Sequence, residues 1–320
     1  MFHSAIRVLA YVGPTGFLAA IVQELRGWFA RRLLGKRFLK RRVYDYEMWI
    51  DLEDPGISRT MLLFGKRELE HRRLMELITS PKSTVFDIGA NIGYYAVMES
   101  LLVGREGKVI AIEPSPANAD LLRRNVSLNG ATNVTVLEGA ISDAEGERDL
   151  YLSRLSNLNT FHPGHGTLTD ESRKTRVRTM TVRGLAKEFG PPDLIRMDVE
   201  GHEVEILGGM VEGVRAGELA PWVILEVHRN RYSKEHDFEA VLRALFALGY
   251  SVRYVGSSQR EGTEALKRLG YVGGDPISTD FMERVIFENI RSDHALDLIC
   301  RTGGVRTVVL APRGSEHGRP

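Results

Sequence analysis

Short apolar runs, separated by turns and by segments of helical periodicity, dominate the middle of the chain. Such runs at residues 85–88, 108–113, 134–137, 193–198 and 222–228 predict five strands that are buried on both faces of a sheet. Between most of these runs, apolar residues recur at every third or fourth position and predict helices. Strands that alternate with helices indicate a doubly wound α/β sheet with right-handed crossovers.

The first 43 residues show a different pattern, in which apolar residues at helical spacing accompany a strong basic charge. The basic residues that follow Glu24, with no further acid up to residue 42, are Arg26, Arg31, Arg32, Lys36, Arg37, Lys40, Arg41 and Arg42. Residues 15–42 therefore predict a basic amphipathic helix, and the favoured interpretation is a solvated helix packed on the main domain or on a second subunit. Docking of this helix on an anionic membrane that carries a lipid-linked substrate is the alternative hypothesis.

The rest of the chain divides into a lead-in, a main domain and a tail. These regions are residues 44–82, 83–311 and 312–320, and the main domain carries a polar, irregular insert at residues 257–300. Within the lead-in, we predict a strand over residues 43–52 and an amphipathic helix over residues 67–78. A short apolar run at residues 305–310 is expected to be the last strand of the sheet.

Composition narrows the classes of function. The chain has 320 residues and a net charge of +1, so it has no general electrostatic attraction for nucleic acid. The single cysteine, Cys300, excludes an intrachain disulfide and indicates a reducing compartment. The apolar stretch at residues 5–22 is interrupted by Arg7, Gly13 and Pro14, which leaves it too short to span a bilayer. We therefore expect a cytoplasmic protein that touches at most the inner face of a membrane.

A glycine turn follows the first central strand and precedes a helix. Gly89 and Gly93 let the backbone approach a ligand closely, and the helix from Tyr94 offers unpaired N–H groups. Asp87 stands where a dinucleotide fingerprint usually has its first glycine, and its charge would repel a pyrophosphate. Glu113 ends the second strand, where an acid can accept hydrogen bonds from both hydroxyls of a ribose.

These features favour a nucleoside that carries a zwitterionic tail rather than a diphosphate. S-adenosylmethionine fits them, with its ribose on Glu113, its amino group near Asp87 and its carboxylate near the start of the helix. The adenine edge is expected to rest on backbone groups near Ala140, at the end of the third strand. An ordinary turn between a strand and a helix uses similar glycines, so the glycine spacing alone does not identify a ligand.

Ionisable residues also close the fourth and fifth strands. Asp198 ends the fourth strand, while Glu226 and His228 end the fifth and share one face by the period of two. Because the carboxyl ends of parallel strands meet at one edge of a sheet, these three side chains are expected to converge. They would either bind and deprotonate a hydroxyl or hold a divalent ion.

A polar loop near residue 160 carries two histidines, His162 and His165. Two histidines three positions apart can bind a metal. Without a cysteine or a carboxylate nearby in the sequence, however, a solvent-exposed or substrate-contacting loop is the favoured interpretation.

Three of these segments together resemble one known family. The segments FDIGANIGYY (86–95), AIEP (111–114) and IRMDVEGHE (195–203) occur in the order and spacing of the FkbM-type S-adenosylmethionine-dependent methyltransferases. The resemblance covers roughly residues 45–230 of the chain. It implies a Rossmann-like sheet of seven strands with an antiparallel last strand, and methyl transfer to a hydroxyl of a sugar, glycolipid or natural product.

The resemblance also implies a set of cofactor-binding residues: Asp87, Gly89, Asn91, Gly93 and Glu113. Residues 198–203 would lie next to the transferred methyl group. The family usually has lysine at the position of Arg196 and a small residue at the position of His202. The first difference keeps the charge, and the second leaves a general-base role open for His202.

We predict that His228 is the general base, with Asp198 or Glu226 orienting its ring. A divalent ion on the same three residues is the alternative, although no metal is expected. A nicotinamide-dependent oxidoreductase and a non-catalytic membrane-associated binding protein are the other classes of function considered. The expected partners are a small-molecule, sugar or lipid-linked acceptor and, in a homo-oligomer, a second copy of the chain.

Overall fold

The computed structural model describes residues 2–162 and 169–315, without the side chains of residues 2–12 and 169–172. The N-terminal part is a long helix, a hairpin and two shorter helices. These elements are α1 (Phe2–Arg32), β1 (Phe38–Val43), β2 (Tyr46–Asp51), α2 (Ile57–Phe64) and α3 (Leu69–Ile78). Helix α1 bends at Gly13, and none of the described helices is both long and apolar enough to cross a membrane.

The hairpin corrects two predictions about the N-terminal region. Lys40, Arg41 and Arg42 lie on β1 rather than on the helix predicted over residues 15–42. The single strand predicted over residues 43–52 is instead β2 alone, paired antiparallel with β1. Contacts across the pair explain the difference, because Arg37 binds Asp51 at 2.8 Å and the Lys40 ammonium lies over the Trp49 ring.

The first half of the main domain alternates strands and helices and then adds a small separate sheet. Its elements are β3 (Thr84–Ile88), α4 (Tyr94–Val103), β4 (Lys108–Glu113), α5 (Pro116–Leu128), β5 (Val134–Glu138), β6 (Ala140–Ile141), β7 (Gly146–Ser153), β8 (Thr169–Met180) and α6 (Val182–Phe189). The three-stranded sheet has the order β6-β8-β7 and lies at the end of β5.

The second half returns to the main sheet. Its elements are β9 (Leu194–Met197), α7 (Glu203–Arg215), β10 (Trp222–Glu226), a 3₁₀ turn (Arg229–Arg231), α8 (Phe238–Ala247), β11 (Ser251–Ser257), α9 (Arg260–Arg268), β12 (Ile277–Thr279), β13 (Met282–Arg284), β14 (Ile286–Ile290), α10 (Ser292–Leu296), a π-helical turn (Asp297–Arg301) and β15 (Val305–Ala311). The insert predicted to be irregular thus contains the helices α9 and α10, the β12–β13 hairpin and strand β14.

The main sheet has the strand order β14-β11-β15-β10-β9-β3-β4-β5. Strand β15 is antiparallel to both of its neighbours, β10 and β11, while β5, β4, β3, β9 and β10 run parallel. This arrangement confirms the predicted seven-stranded Rossmann-like sheet with its last strand antiparallel. Strand β14 adds an eighth strand at the edge, antiparallel to β11.

Alternate residues of the central strands supply two hydrophobic cores, one on each face of the sheet. Phe86 and Ile88 of β3 belong to the core that α7 and α8 cover. Val85 belongs to the other core, which α4 and the β1–β2 hairpin cover. The Tyr46 hydroxyl of the hairpin donates to the Tyr94 carbonyl oxygen at 2.9 Å. The lead-in therefore forms one wall of the main domain and holds the start of α4.

The β12–β13 hairpin packs against the start of α3. The Leu69 amide donates to the Thr279 hydroxyl at 2.9 Å, and the Glu68 amide donates to the Asp280 carboxylate at 3.1 Å. Arg284 and Glu70 form a buried ion pair between the same two segments. The insert and the lead-in are thus joined beside the carboxyl end of the sheet.

Candidate active site

A cleft with about 520 Å³ of empty space opens at the carboxyl ends of β3, β4 and β9. This is the edge of the sheet at which ligands bind in doubly wound folds. Residues that line the cleft include Ile88, Gly89, Asn91, Ile112, Glu113, Asn118, Ala140, Leu150, Phe161, Asp198, Glu200 and His202. The cleft walls therefore combine apolar side chains with several acids and amides.

The glycine turn brings the ends of two strands into close contact. Gly89 has a φ of 77°, and a Cβ atom on it would lie 2.3 Å from the carbonyl oxygen of Asp198. No other residue fits between the ends of β3 and β9 without moving the backbone. Gly93 does not line the cleft; a Cβ atom there would meet the Leu122 side chain at 2.7 Å, so this glycine lets α4 and α5 pack closely.

Glu113 closes β4 and is only 4% exposed. Its carboxylate accepts hydrogen bonds from the Asn91 amide at 2.8 Å, the Ser115 amide at 3.0 Å and the Asn118 side chain at 3.3 Å. Burial raises the pKa of Glu113 to about 7, although these hydrogen bonds act in the opposite direction. The turn after β3 and the start of α5 therefore hold this acid in a fixed orientation at the cleft.

The cleft has unsatisfied hydrogen-bonding groups that fit a polar ligand with an apolar face. Asn91 Oδ1 and Asp198 Oδ1 are buried and have no hydrogen-bond partner among the described residues. Buried polar atoms of this kind are rare in proteins unless a ligand or water completes them. Leu150 and Phe161 provide apolar wall for a planar ring. The residues present thus fit a nucleoside such as S-adenosylmethionine.

Asp87 does not line the cleft. Its side chain is fully buried, and Arg196 Nη1 lies 3.2 Å from both the Asp87 carboxylate and the Gly89 carbonyl oxygen. The Arg196 guanidinium also lies over the Tyr95 ring, 4.2 Å from its centroid. Burial raises the pKa of Asp87, while Arg196 opposes this shift. The structure therefore places Asp87 behind the glycine turn, where it supports the turn through Arg196.

The structure brings Asp198, Glu226 and His228 together. His228 Nε2 lies 3.6 Å from Asp198 Oδ1 and 3.5 Å from Glu226 Oε1. His228 follows the end of β10 by two residues, so the turn rather than the strand sets its direction. The three residues form a buried cluster that reaches the cleft through Asp198.

His228 is surrounded by acids. Its Nδ1 atom lies 2.7 Å from Glu203 Oε1, and its Nε2 atom is also 3.6 Å from Glu200 Oε2. Burial acts to lower the pKa of His228, but the carboxylates of Glu203, Glu226 and Glu200 outweigh it and hold the pKa well above its usual value. His228 is therefore an imidazolium at neutral pH.

Asp198 is the member of the cluster that titrates near neutral pH. Burial, followed by the neighbouring Glu226, raises the pKa of Asp198 to about 7. Glu226 behaves differently, because Arg306 binds its carboxylate and outweighs burial, which holds its pKa below the usual range. Arg306 also lies 3.8 Å from the buried Glu68. Nothing in the sequence pattern indicated Arg306 or Glu68, because they come from β15 and from the lead-in.

His202 is buried and lies outside the cluster of Asp198, Glu226 and His228. Its Nε2 atom is 3.0 Å from the Ser142 hydroxyl, and its Nδ1 atom is 3.1 Å from His162 Nε2. Burial lowers the pKa of His202 to about 4. The fold does bring a carboxylate to His162 that the local sequence does not supply, because Glu205 of α7 lies 3.4 Å from it. His165 lies outside the described residues.

Several known proteins are similar in sequence to this chain. The Methyltransferase FkbM domain matches residues 87–252, which is more than half of the chain. Methyltransferase sdnD of Sordaria araneosa is 30% identical over 196 residues, which cover 49% of this chain and 72% of that protein. The hexuronic acid methyltransferase AglP of Haloferax volcanii is 29% identical over 146 residues, which cover 45% of this chain and 55% of that protein.

A solved structure of an FkbM methyltransferase from Methylobacillus flagellatus has 16% sequence identity and a TM-score of 0.35, and the match covers 72% of this chain and 52% of that one. This structural likeness is too weak to bear on function. The sequence matches, in contrast, confirm the resemblance that the three motifs indicate. The chain belongs to the FkbM family of methyltransferases.

Proposed function

We propose that the chain is an S-adenosylmethionine-dependent O-methyltransferase that acts on a hydroxyl group of a sugar, glycolipid or natural product. The observation that carries this proposal is the position of Asp198 in the cleft, together with its pKa. Its carboxylate lines the cleft, has a buried oxygen without a hydrogen-bond partner in the described parts of the chain, and has a pKa of about 7. A hydroxyl acceptor must lose its proton, and such a carboxylate can accept that proton near neutral pH.

The cofactor site would use the turn after β3 and the ends of β4 and β5. Glu113 would accept hydrogen bonds from the ribose hydroxyls. Asn91 Oδ1, which has no hydrogen-bond partner among the described residues, would accept a hydrogen bond from the ligand. Backbone groups near Ala140 would contact the adenine edge. When bound, S-adenosylmethionine supplies a methyl group on a sulfonium, which is already a good leaving group. Positioning of the acceptor by the cleft then contributes much of the rate.

The geometry favours a different base from the one that the sequence suggested. His228 is held by Glu203 and carries a positive charge at neutral pH, so it is poorly suited to accept a proton. Its charge instead stabilises the ionised form of Asp198, 3.6 Å away. We therefore assign the proton-accepting role to Asp198, with His228 as a positioning residue and with Glu226 neutralised by Arg306.

A sugar acid is the acceptor class that we propose to test first, because one relative is named a hexuronic acid methyltransferase. Family membership speaks against both the nicotinamide-dependent oxidoreductase and the non-catalytic binding protein. Transfer of the methyl group to oxygen would appear as a new O-methyl signal in the NMR spectrum of the product. A methyl group on nitrogen or carbon would contradict the proposed reaction.

The Glu113→Gln variant should bind S-adenosylhomocysteine about 10–100-fold more weakly than the wild type, since one hydrogen bond to a charged group contributes about 1.5–3 kcal/mol. The wild-type affinity should also decrease as the pH falls through about 7, because protonation of Glu113 removes an acceptor. Isothermal titration calorimetry of S-adenosylhomocysteine and NAD measures both effects, and NAD should not bind.

Glu138→Gln provides the matched control. Glu138 pairs in register with Glu113 on the next strand, but it is exposed and binds Arg123. This variant should keep the wild-type affinity. An unchanged affinity in Glu113→Gln would contradict the ribose contact, and tighter binding of NAD than of S-adenosylhomocysteine would contradict the proposed cofactor.

We also propose that the segment around α1 docks on the cytoplasmic, anionic face of a membrane. Small residues, Ala20 and Ala30, are buried, and Glu24 binds Arg59 of α2 at 2.9 Å. The large apolar residues of the segment are exposed: Leu18, Ile21, Val22, Leu25, Trp28, Phe29, Leu33 and Leu34. An outward apolar surface next to Arg26, Arg31 and Arg32 matches the composition of an anionic membrane surface.

Replacing Leu25 and Trp28 with glutamate should lower binding to phosphatidylserine vesicles by at least about tenfold, because each buried apolar side chain contributes about 1.5–3 kcal/mol. The two side chains are 60% and 58% exposed, so the fold should tolerate the change. Co-sedimentation with vesicles is the measurement. The same double change at Leu269 and Val272, which are exposed elsewhere on the molecule, is the control. Equal vesicle binding by the two variants would contradict membrane docking.

A further inference from the structure

Three histidines and a glutamate meet beside the cleft, outside the cluster around Asp198. This histidine cluster consists of His162, His202, Glu205 and His236. The four residues come from three separate segments: the loop after β7, the start of α7, and the connection between the 3₁₀ turn and α8. The nitrogens of His162 and His202 are 3.1 Å apart, and they lie 3.4 and 3.3 Å from the Glu205 carboxylate.

Hydrogen bonds determine which nitrogen of His202 carries the proton. The Ser142 hydroxyl donates to the Asp143 carboxylate at 2.9 Å, so it must accept from His202 Nε2, 3.0 Å away. His202 Nδ1 therefore carries a lone pair, which faces Glu205.

His236 also faces Glu205. Its Nε2 atom lies 2.8 Å from the Gly201 carbonyl oxygen, which can only accept, so Nε2 carries a proton. Its Nδ1 atom lies 3.5 Å from Glu205 Oε1. The other carboxylate oxygen, Glu205 Oε2, is buried and has no hydrogen-bond partner in the part of the chain that the structure describes. The lone pair of His202 Nδ1 lies 3.3 Å from this oxygen, and the two repel each other unless a cation or a proton lies between them.

We propose that His162, His202 and Glu205 bind a divalent transition metal ion of the zinc class, with His236 as the nearest candidate for a fourth ligand. Ligand atoms about 2.0–2.1 Å from a tetrahedral Zn²⁺ lie about 3.3 Å from one another. The 3.1 Å between the His162 and His202 nitrogens fits this geometry. Glu205 offers one oxygen 3.4 Å from His162 and its other oxygen 3.3 Å from His202, and the three ligand atoms lie within 4.8 Å of one another. Neutral imidazoles and a carboxylate are also ligands that zinc prefers.

The surroundings of the cluster have the features of a metal site. The ring nitrogens of His202 and His236 that do not face the cluster donate to Ser142 and to the Gly201 carbonyl oxygen. Such outer hydrogen bonds orient metal-bound histidines and fix their tautomers. This ion would be separate from the alternative site on Asp198, Glu226 and His228 considered from the sequence.

The ion would have a structural role. Phe161 stacks on His202 with ring centroids 4.6 Å apart, and both residues line the cleft. Thr160 also donates to the Glu200 carbonyl oxygen at 2.9 Å. A metal on His162 and His202 would thus fasten this loop to the start of α7 and hold one wall of the cleft in place.

The test is the zinc content of the full-length protein after incubation with ZnSO₄ and gel filtration, measured by mass spectrometry. The wild type should retain about one zinc ion per chain, and His162→Ala and Glu205→Gln should lose most of it. His294→Ala removes a histidine that binds Tyr271 far along the chain and should keep the metal. His228→Ala should also keep it. A metal-free wild type, or loss of zinc in His228→Ala but not in His162→Ala, would overturn the proposal.

A second experiment begins with the wild type alone, so its first readout does not depend on a variant being folded. The Co²⁺-loaded wild type should show the visible absorption bands of a tetrahedral or five-coordinate site, and zinc should displace them. Zinc should also raise the melting temperature of the wild type more than that of His162→Ala, because a ligand that binds only the folded state stabilises it. Bands of an octahedral aqua ion alone would overturn the assignment.

Discussion

The Asp198→Asn variant should lower kcat by about 10²–10⁴-fold, which is the usual contribution of a positioned general base. The effect on the affinity for S-adenosylhomocysteine should be much smaller, because the amide keeps the shape of the side chain. For the wild type, kcat/KM should rise with pH through about 7, as Asp198 loses its proton. The rates can be measured with labelled S-adenosylmethionine and hexuronic acid glycosides as acceptors.

The pH profile separates Asp198 from His228 as the base. With His228 as the base, activity would rise only at a pH well above 7, because its acidic neighbours hold the ring in the charged form. Asp120→Asn, a change at an exposed carboxylate on α5, is the control and should leave both rate and profile unchanged. Wild-type activity in Asp198→Asn would remove Asp198 from the mechanism.

Gly89→Ala should destabilise the protein by about 2–5 kcal/mol and abolish cofactor binding. The left-handed backbone costs about 1–2 kcal/mol for a residue with a side chain, and overpacking adds about 1–3 kcal/mol. The overlap arises because the new methyl group would lie 2.3 Å from the Asp198 carbonyl oxygen. Urea unfolding and calorimetry with S-adenosylhomocysteine measure the two effects.

Gly217→Ala isolates the cost of the backbone conformation. Gly217 follows α7 in the left-handed conformation with a φ of 71°, close to the 77° of Gly89, but a Cβ atom there would meet nothing within 4 Å. This variant should lose only about 1–2 kcal/mol and should bind the cofactor normally. Equal stability of the two variants would show that the contact between the ends of β3 and β9 is looser than described.

The parallel strands could be predicted from the sequence because burial on both faces leaves a continuous apolar run. The β1–β2 hairpin could not be predicted, because its turn at Tyr44 and Asp45 contains neither glycine nor proline. Its basic residues also continue the basic pattern of the preceding helix. Strand β14 was missed for a related reason. Only Phe287 and Ile290 of its five residues are buried, so no continuous apolar run marks it.

Within the site, the residues at strand ends were predictable and their partners were not. Asp87 and Arg196 are register partners on neighbouring parallel strands, and this pairing directs the acid away from the cleft. A sequence shows that both residues end strands but does not show which strands are adjacent. The same limit applies to His162 and Glu205, which are 43 positions apart and meet through the tertiary fold.

The position of β15 has a consequence for synthesis on the ribosome. This strand is the last described element of the chain, yet it lies between β10 and β11 in the sheet. A growing chain must therefore keep a gap between those two strands until β15 emerges and inserts. Arg306 arrives with that strand, so Glu226 lacks its counterion until then. A nascent chain should consequently hold a complete nucleotide-binding half well before its acceptor side becomes competent.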